Sequence, residues 1–266
     1  RMMTAVGARI RDVPVDAEGA QVPSRRGGAR LAYLTPAHQF PLGVCMTMPR
    51  RLQWLAWART TGAVLFEDDY DSEFRYSGRP VAALQGLDRD GAVIFAGSFS
   101  KVLCPALRLG YVVLPADLVD PAAAILSVTS RHASVLAQVA LEAFMAAGHF
   151  ARHLRRMREV YGERHDALLA ASRRWLDGRL EIVQVEAGLQ TVGFVPAGMA
   201  ATELSRRAAE RDVELVPLAR HLRAPVARDA VQLGFAAVPP TEIARGVQVL
   251  ARLLESRAAD SRRRTI

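Results

Sequence analysis

The chain has 266 residues, half of them hydrophobic and 23% charged, which is enough apolar mass for one large or two ordinary cores and excludes a disordered chain. Its 35 basic residues against 27 acidic ones give a formal charge of +8, but the basic residues are scattered over expected helix faces without interleaved aromatics, so they are read as solvated surface rather than a nucleic-acid footprint. No apolar run approaches the roughly 18 residues of a membrane span, and the start Arg1-Met2-Met3-Thr4 lacks the apolar centre of a signal peptide, so the expected location is cytoplasmic with no membrane partner. The two cysteines, Cys45 and Cys104, are too few for a disulfide framework and stand in no metal-ligand spacing, so no metal is expected.

In chain order, residues 8–15 roughly alternate apolar and polar side chains and lead into Asp16, Glu18 and Gly19, predicting a short strand and a turn. Leu31–Leu34 predicts a buried strand. From Pro49, Leu52, Leu55 and Ala56 share one face with Arg50, Arg51 and Arg59 on others, predicting a helix opened by proline and closed at Gly62. Trp54 and Trp57 on that helix are read as core or dimer packing. Apolar strands are predicted over 63–66, 92–96 and 109–114; the first ends on Glu67-Asp68-Asp69-Tyr70 and the second on a Gly97-Ser98 turn. Strands buried on both faces with helices between them predict a mostly parallel α/β sheet, in which ligands sit at the carboxyl ends of strands. Residues 115–176 are helical in pattern with a break near Gly148-His149. Within them 152–174 carries a stripe of Leu154, Met157, Tyr161, Leu168 and Leu169, predicting a long connecting helix. After Gly178, short strands at 180–185, 191–195 and 213–216 alternate with helices near 201–211 and 240–256. The expected organisation is a large domain over 1–150, a connecting helix over 151–178 and a smaller α+β domain over 179–266.

Lys101 is the only lysine among the 35 basic residues, and it stands in Ser98-Phe99-Ser100-Lys101, followed by Pro105, Arg108 and Gly110. Arginine stays protonated at any working pH, whereas a desolvated lysine can lose its proton and attack a carbonyl as a free amine. Two hydroxyls before that amine and an arginine seven residues after it are what a phosphate beside a Schiff base requires. Pyridoxal 5'-phosphate needs such an amine, a carboxylate at its ring nitrogen, a donor at its ring hydroxyl and a phosphate cup. The chain offers Lys101 as the amine, Asp68 as the carboxylate, Tyr70 as the donor, and Ser98, Ser100 and Arg108 as the cup. His38 and His149 need no acid-base role, because the released lysine amine can shuttle the proton; His38 is expected at the rim of the site.

Three segments carry a family resemblance: Thr35-Pro36-Ala37-His38-Gln39-Phe40-Pro41-Leu42-Gly43, Glu67-Asp68-Asp69-Tyr70-Asp71-Ser72-Glu73-Phe74-Arg75-Tyr76, and the Lys101 segment through Gly110. Together they resemble the aminotransferase-like domain of MocR-type regulators in the GntR superfamily. Those regulators join an N-terminal winged helix-turn-helix to a domain of the fold type I aminotransferases. The resemblance runs as far as Gly234-Phe235 and covers about the whole chain. It implies fold type I, with an incomplete large domain and a smaller α+β domain. Lys101 would form the internal aldimine and the partner would be a second copy of the chain. DNA would be bound only through a winged helix absent from these residues. The absent first strand, glycine-rich turn and ring stacker, together with Arg1 as first residue, agree with a fragment.

Two positions depart from the family pattern. Relatives that bind an amino acid carry arginine for the substrate carboxylate in an Arg-Leu-Gly-Phe run, and the matching residue here is Gln232; a neutral amide pairs a carboxylate far more weakly. Gln190 stands where relatives often have histidine. Two functions are therefore weighed. The first is the effector domain of a regulator that senses pyridoxal phosphate itself, a small amine or an amino acid, with His38 and Gln232 at the effector rim. The second is a free-standing class I/II aminotransferase.

Overall fold

The computed structural model describes residues 2–23, 28–78, 81–223 and 228–264, which form two main sheets, each with its own apolar core. In the first sheet β1 (Leu31–Leu34), β2 (Val64–Asp69), β3 (Val93–Ser98) and β4 (Gly110–Val113) lie side by side in that order. The first three are parallel, with Leu34 opposite Glu67 and Asp68 opposite Ala96, so their carboxyl ends share one edge of the sheet. β4 returns antiparallel, with Gly110 opposite Ser98. The mostly parallel sheet read from the sequence is thus present with one antiparallel strand at its side.

Between β1 and β2 the chain forms α1 (Met48–Thr61). Thr47 caps it by accepting the Arg50 N–H at 3.4 Å, Pro49 suits its first turn, and Gly62 ends it at φ 68° by donating to the Ala58 carbonyl at 2.8 Å. The buried face corrects the sequence expectation. Leu52 is 53% exposed, whereas Arg51, Trp54 and Ala58 are each 1% exposed. Trp54 and Trp57 meet edge to face at 5.2 Å and fill the core beside Leu34, Leu65 and Val93. The indole N–H of Trp54 donates to the Ala20 carbonyl at 2.9 Å, fastening the small hairpin of Val15–Asp16 and Gly19–Ala20, the paired remnant of the strand expected over 8–15.

The arginines turn inward because they find partners there. Arg50 reaches Asp16 at 2.9 Å and Glu18 at 3.1 Å. Arg51 donates to the carbonyls of Met46 at 3.0 Å, Pro36 at 2.8 Å and Ala82 at 3.1 Å, and stands 3.7 Å from Glu67 Oε1. Glu67, also buried, accepts the N–H groups of Leu84 and Gln85, both at 2.9 Å. A counting of apolar periodicity places guanidiniums in solvent and misses this arrangement.

β1 and β4 are more exposed than their apolar sequences predict, because each is an outer strand of the described sheet. After β4 the helical stretch holds three helices, α2 (Ala116–Thr129), α3 (Val135–Ala146) and α4 (His149–Trp175), broken over 130–134 as well as at Gly148, whose φ is 72°. The second sheet is antiparallel, ordered β5 (Glu181–Ile182), β6 (Gln190–Phe194), β8 (Ala230–Gly234) and β7 (Val216–Pro217). Its core takes Leu168 of α4, Leu204 of α5 (Ala201–Ala209), and Val247 and Leu250 of α6 (Pro240–Arg264). Among the described residues no helix is long and apolar enough to cross a membrane.

Two stability predictions follow from these buried polar groups. Glu67→Ala strips Arg51 of its counter-charge and two backbone N–H groups of their acceptor, so urea unfolding is expected to give a loss of about 3 kcal/mol; a loss under about 1 kcal/mol contradicts the role given to the pair. His165 on α4 lies between Tyr76 at 5.8 Å and Phe235 at 5.3 Å, and burial holds its pKa below the ordinary 6.5. The unfolded chain then takes up a proton that the folded one resists, so stability present above pH 6.5 is lost as the pH falls through the lowered folded value. His165→Phe should shrink the fall in Tm between about pH 7 and pH 5, and an unchanged fall would assign that acid sensitivity elsewhere.

Candidate functional site

The run Glu67 to Asp71 leaves β2 with side chains alternating in direction, and the alternation gives each carboxylate a separate neighbourhood. Glu67 serves Arg51 and the 84–85 backbone. Asp69 turns to Ser72, accepting its N–H at 3.1 Å and its hydroxyl at 2.6 Å, and burial raises its pKa. Asp68 and Tyr70, two apart, face a common pocket of about 410 Å³. Such a volume suits a small ring ligand. Lys101 lines the same pocket from the end of β3, with Tyr33, Phe40 and Gln190.

Lys101 is carried by a single helical turn, Phe99–Val102. Ser98 opens that turn: its backbone is extended and its hydroxyl accepts the Ser100 N–H at 3.1 Å. The Phe99 N–H donates to the Leu109 carbonyl at 3.1 Å and ties the turn to the start of β4. Glycine is required below it, because a Cβ on Gly97 would lie 2.4 Å from the Tyr111 ring. Arg108 holds a left-handed backbone, φ 51° and ψ 35°, after the short 3-10 turn Pro105–Leu107. A non-glycine residue in that region costs about 1 kcal/mol or more and is found at ligand clamps. Ser98, Ser100 and Arg108 therefore share one loop with Lys101 but are not among the residues lining the pocket.

Tyr33, which sequence reasoning passed over, donates its hydroxyl to Asp68 Oδ2 and stacks on Phe66 at 5.7 Å. Burial first, and then the Asp68 carboxylate, push the Tyr33 pKa up, so the phenol keeps its proton and its donor role. Tyr70 is likewise pushed up, chiefly by burial and then by the Asp71 and Asp68 charges. Its hydroxyl donates to the His38 carbonyl at 3.0 Å. His38, expected at the rim, is instead 2% exposed beneath Tyr70, because Asp71 holds its Nδ1 at 2.8 Å. Gln232 also sits behind the rim: its amide N–H donates to Gln190 Oε1, and Gln190 is the residue that reaches the pocket. Asp71 and Tyr33 could have been anticipated only as odd acceptor and donor residues beside Tyr70 and Asp68. Among the described residues no group of three or more His, Cys, Asp or Glu side chains could hold a metal ion.

One amine, one carboxylate fixed by a phenol, and a second phenol converge on this pocket. That donor set fits the aldehyde, ring nitrogen and ring oxygen of pyridoxal phosphate.

The family model for aminotransferase class I and II matches residues 39–250. The Rhizobium meliloti protein named "Probable rhizopine catabolism regulatory protein MocR" is 38% identical over 249 residues, which are 93% of this chain and 50% of that protein. The crystal structure of LysN, the α-aminoadipate aminotransferase of Thermus thermophilus, matches with a TM-score of 0.86 at 28% identity, over 94% of this chain and 66% of that one. The kynurenine aminotransferase of Pyrococcus horikoshii matches with a TM-score of 0.85 at 27% identity, over 92% and 63%. The chain thus spans about half the length of the curated relatives it matches and shares the fold type I architecture of these enzymes. With some four-fifths of its length under the family model and its lysine, aspartate and tyrosine around one pocket, the chain belongs to the aminotransferase class I and II family.

Proposed function

We propose that this chain is the cofactor- and effector-binding part of a MocR-type transcriptional regulator, with pyridoxal phosphate held in the pocket and bonded to Lys101. The observation that carries the reading is the meeting of the only lysine with Asp68 and Tyr70 on one pocket wall. Greater identity to the regulator than to the two aminotransferases supports a sensing role over turnover. Bound pyridoxal phosphate supplies an electrophilic carbon and an electron-withdrawing ring. Lys101 provides the attacking amine. Asp68, oriented by the Tyr33 hydroxyl, would hold the proton on the ring nitrogen, and Tyr70 would donate to the ring oxygen once its hydrogen leaves the His38 carbonyl. Ser98, Ser100 and Arg108, on the loop that carries Lys101 though outside the pocket lining, would offer the phosphate donors, the arginine through a charge-assisted pair.

Gln190 and Gln232 bear on the effector class. No arginine lines the pocket among the described residues, so once Lys101 is bonded no cation there is left to grip a carboxylate. The Gln190 amide nitrogen is buried with no hydrogen-bond partner in the described structure, and Gln190 adds no charge to the pocket it lines. Ligands of this site are therefore the cofactor itself or small amines lacking an α-carboxylate. The intact protein would pair with a second copy, as the family does, and bind DNA through a winged helix N-terminal to residue 1. Sequencing the codons upstream tests that partner directly; an open reading frame without a winged helix favours the free enzyme.

Titrating pyridoxal phosphate into the protein and following visible absorbance should give saturable binding, at least about tenfold weaker in Asp68→Asn. Equal affinity and equal absorbance in that variant would remove Asp68 from the ring nitrogen. With the loaded protein, simple amines should shift the absorbance band while α-amino acids act slowly. Rapid conversion of an α-amino acid to its keto acid would instead support the aminotransferase reading.

A further inference from the structure

The imidazole of His38 is among the most enclosed polar groups of the first domain, and its surroundings are built around it. Its Nδ1 lies 2.8 Å from Asp71 Oδ2, with the two side chains 2% and 1% exposed. Gly188 and Gly43, at φ 93° and 80°, make room for the ring: a Cβ on Gly188 would come within 2.1 Å of Cε1, and one on Gly43 within 3.2 Å of Nε2. The Gly188 N–H donates to the Phe74 carbonyl at 2.9 Å, and Arg75 bridges to Ala187, so the second domain closes over the histidine from the far side. Three segments thus converge on one imidazole. The expected acid-base chemistry makes no use of it.

The hydrogen bonds assign its protons. Asp71 Oδ2 can only accept, so Nδ1 carries hydrogen, and Nε2 has no partner in the described structure. The same Nδ1 lies 3.2 Å from the Tyr70 hydroxyl oxygen, while that hydroxyl donates to the His38 backbone carbonyl at 3.0 Å. Tyr70 is thus held through its own hydrogen on the His38 carbonyl, with the Nδ1–H that serves Asp71 also within reach of its oxygen. Asp71 fixes the ring that carries that N–H.

We propose that His38, gripped by Asp71, is a positioning residue for Tyr70: the Nδ1–H beside the Tyr70 oxygen and the His38 backbone carbonyl that accepts the Tyr70 hydrogen set where the hydroxyl stands on the pocket wall, and that carbonyl is the resting acceptor from which the hydrogen is turned to a ligand oxygen. Asp71 and Tyr70 are titratable groups that face the ring, and Gly188 and Gly43 lie against its other edge. The role toward the ligand rests on the pyridoxal phosphate reading above, whereas the His38–Asp71–Tyr70 arrangement can be tested without it.

A double-mutant cycle on pyridoxal phosphate dissociation from the full chain, read by absorbance, separates positioning from folding. Tyr70→Phe and His38→Ala should each weaken binding about tenfold, and the double variant should be no weaker than Tyr70→Phe alone. His38→Asn, which keeps an N–H where Nδ1 stood, should restore most of the loss. Additive losses, or no rescue by asparagine at equal thermal stability, would overturn the proposal. In cofactor-free protein, nitrogen-15 spectra should find a hydrogen on His38 Nδ1, and the Tyr70 ζ-carbon shift should move in His38→Ala and Asp71→Ala. An unmoved Tyr70 signal sinks the proposal even if wild type binds no pyridoxal phosphate, an outcome that by itself would strike only the cofactor reading.

Discussion

The buried pair of Arg51 and Glu67 is the constraint on which the arrangement of this molecule depends. A guanidinium taken out of water is tolerated only when its donors are matched, and Arg51 matches them with three carbonyls and one carboxylate. Those partners come from the loop after β1, the turn before α1, the 81–84 segment and the end of β2. One side chain therefore ties together the pieces that border the pocket. Desolvation lowers the Arg51 pKa and raises that of Glu67, so each pulls against being charged, and their proximity with the two backbone donors offsets that cost. Replacing the pair by apolar groups could preserve a fold; it could not hold these four backbone segments in register.

From that fixed point the acidic run at the end of β2 acquires its order. Four carboxylates in five residues would repel one another on a single face. Strand alternation and then a turn send Glu67 to Arg51, Asp68 to the pocket and Tyr33, Asp69 to Ser72, and Asp71 to His38. The anionic surroundings keep Tyr33 and Tyr70 protonated by raising their pKa values alongside burial. They also favour a cationic ring nitrogen or an amine over an anion in the pocket, which agrees with the amide pair at Gln190 and Gln232.

The sheet, the long helix and three residues of the pocket, Asp68, Tyr70 and Lys101, were legible in the sequence because each depends on local pattern or on residue chemistry. Continuous apolar runs marked β2 and β3, and a lone lysine after two serines marked the site whatever the tertiary fold. What was not legible depended on partners distant in the chain. Arg50 and Arg51 read as solvent-facing because their acceptors lie in other segments, and His38 read as a rim residue because Asp71 is 33 positions away. β8 was passed over as a strand because its residues 230–234 were weighed as a motif around Gln232. The apolar sequence of β4 predicted burial, yet Val112 is exposed, as are Ile125 and Leu136 on the apolar helices α2 and α3. Sequence hydrophobicity reports what a segment can bury, and its covering is set elsewhere.

In the proposed function the single lysine is the residue to which pyridoxal phosphate bonds. Borohydride reduction of the loaded protein followed by peptide mapping tests this assignment. One stable phosphopyridoxyl adduct is expected, on the peptide containing Lys101, and none in Lys101→Arg. An adduct elsewhere, such as the N-terminal amine, or full retention of label in Lys101→Arg, would contradict it.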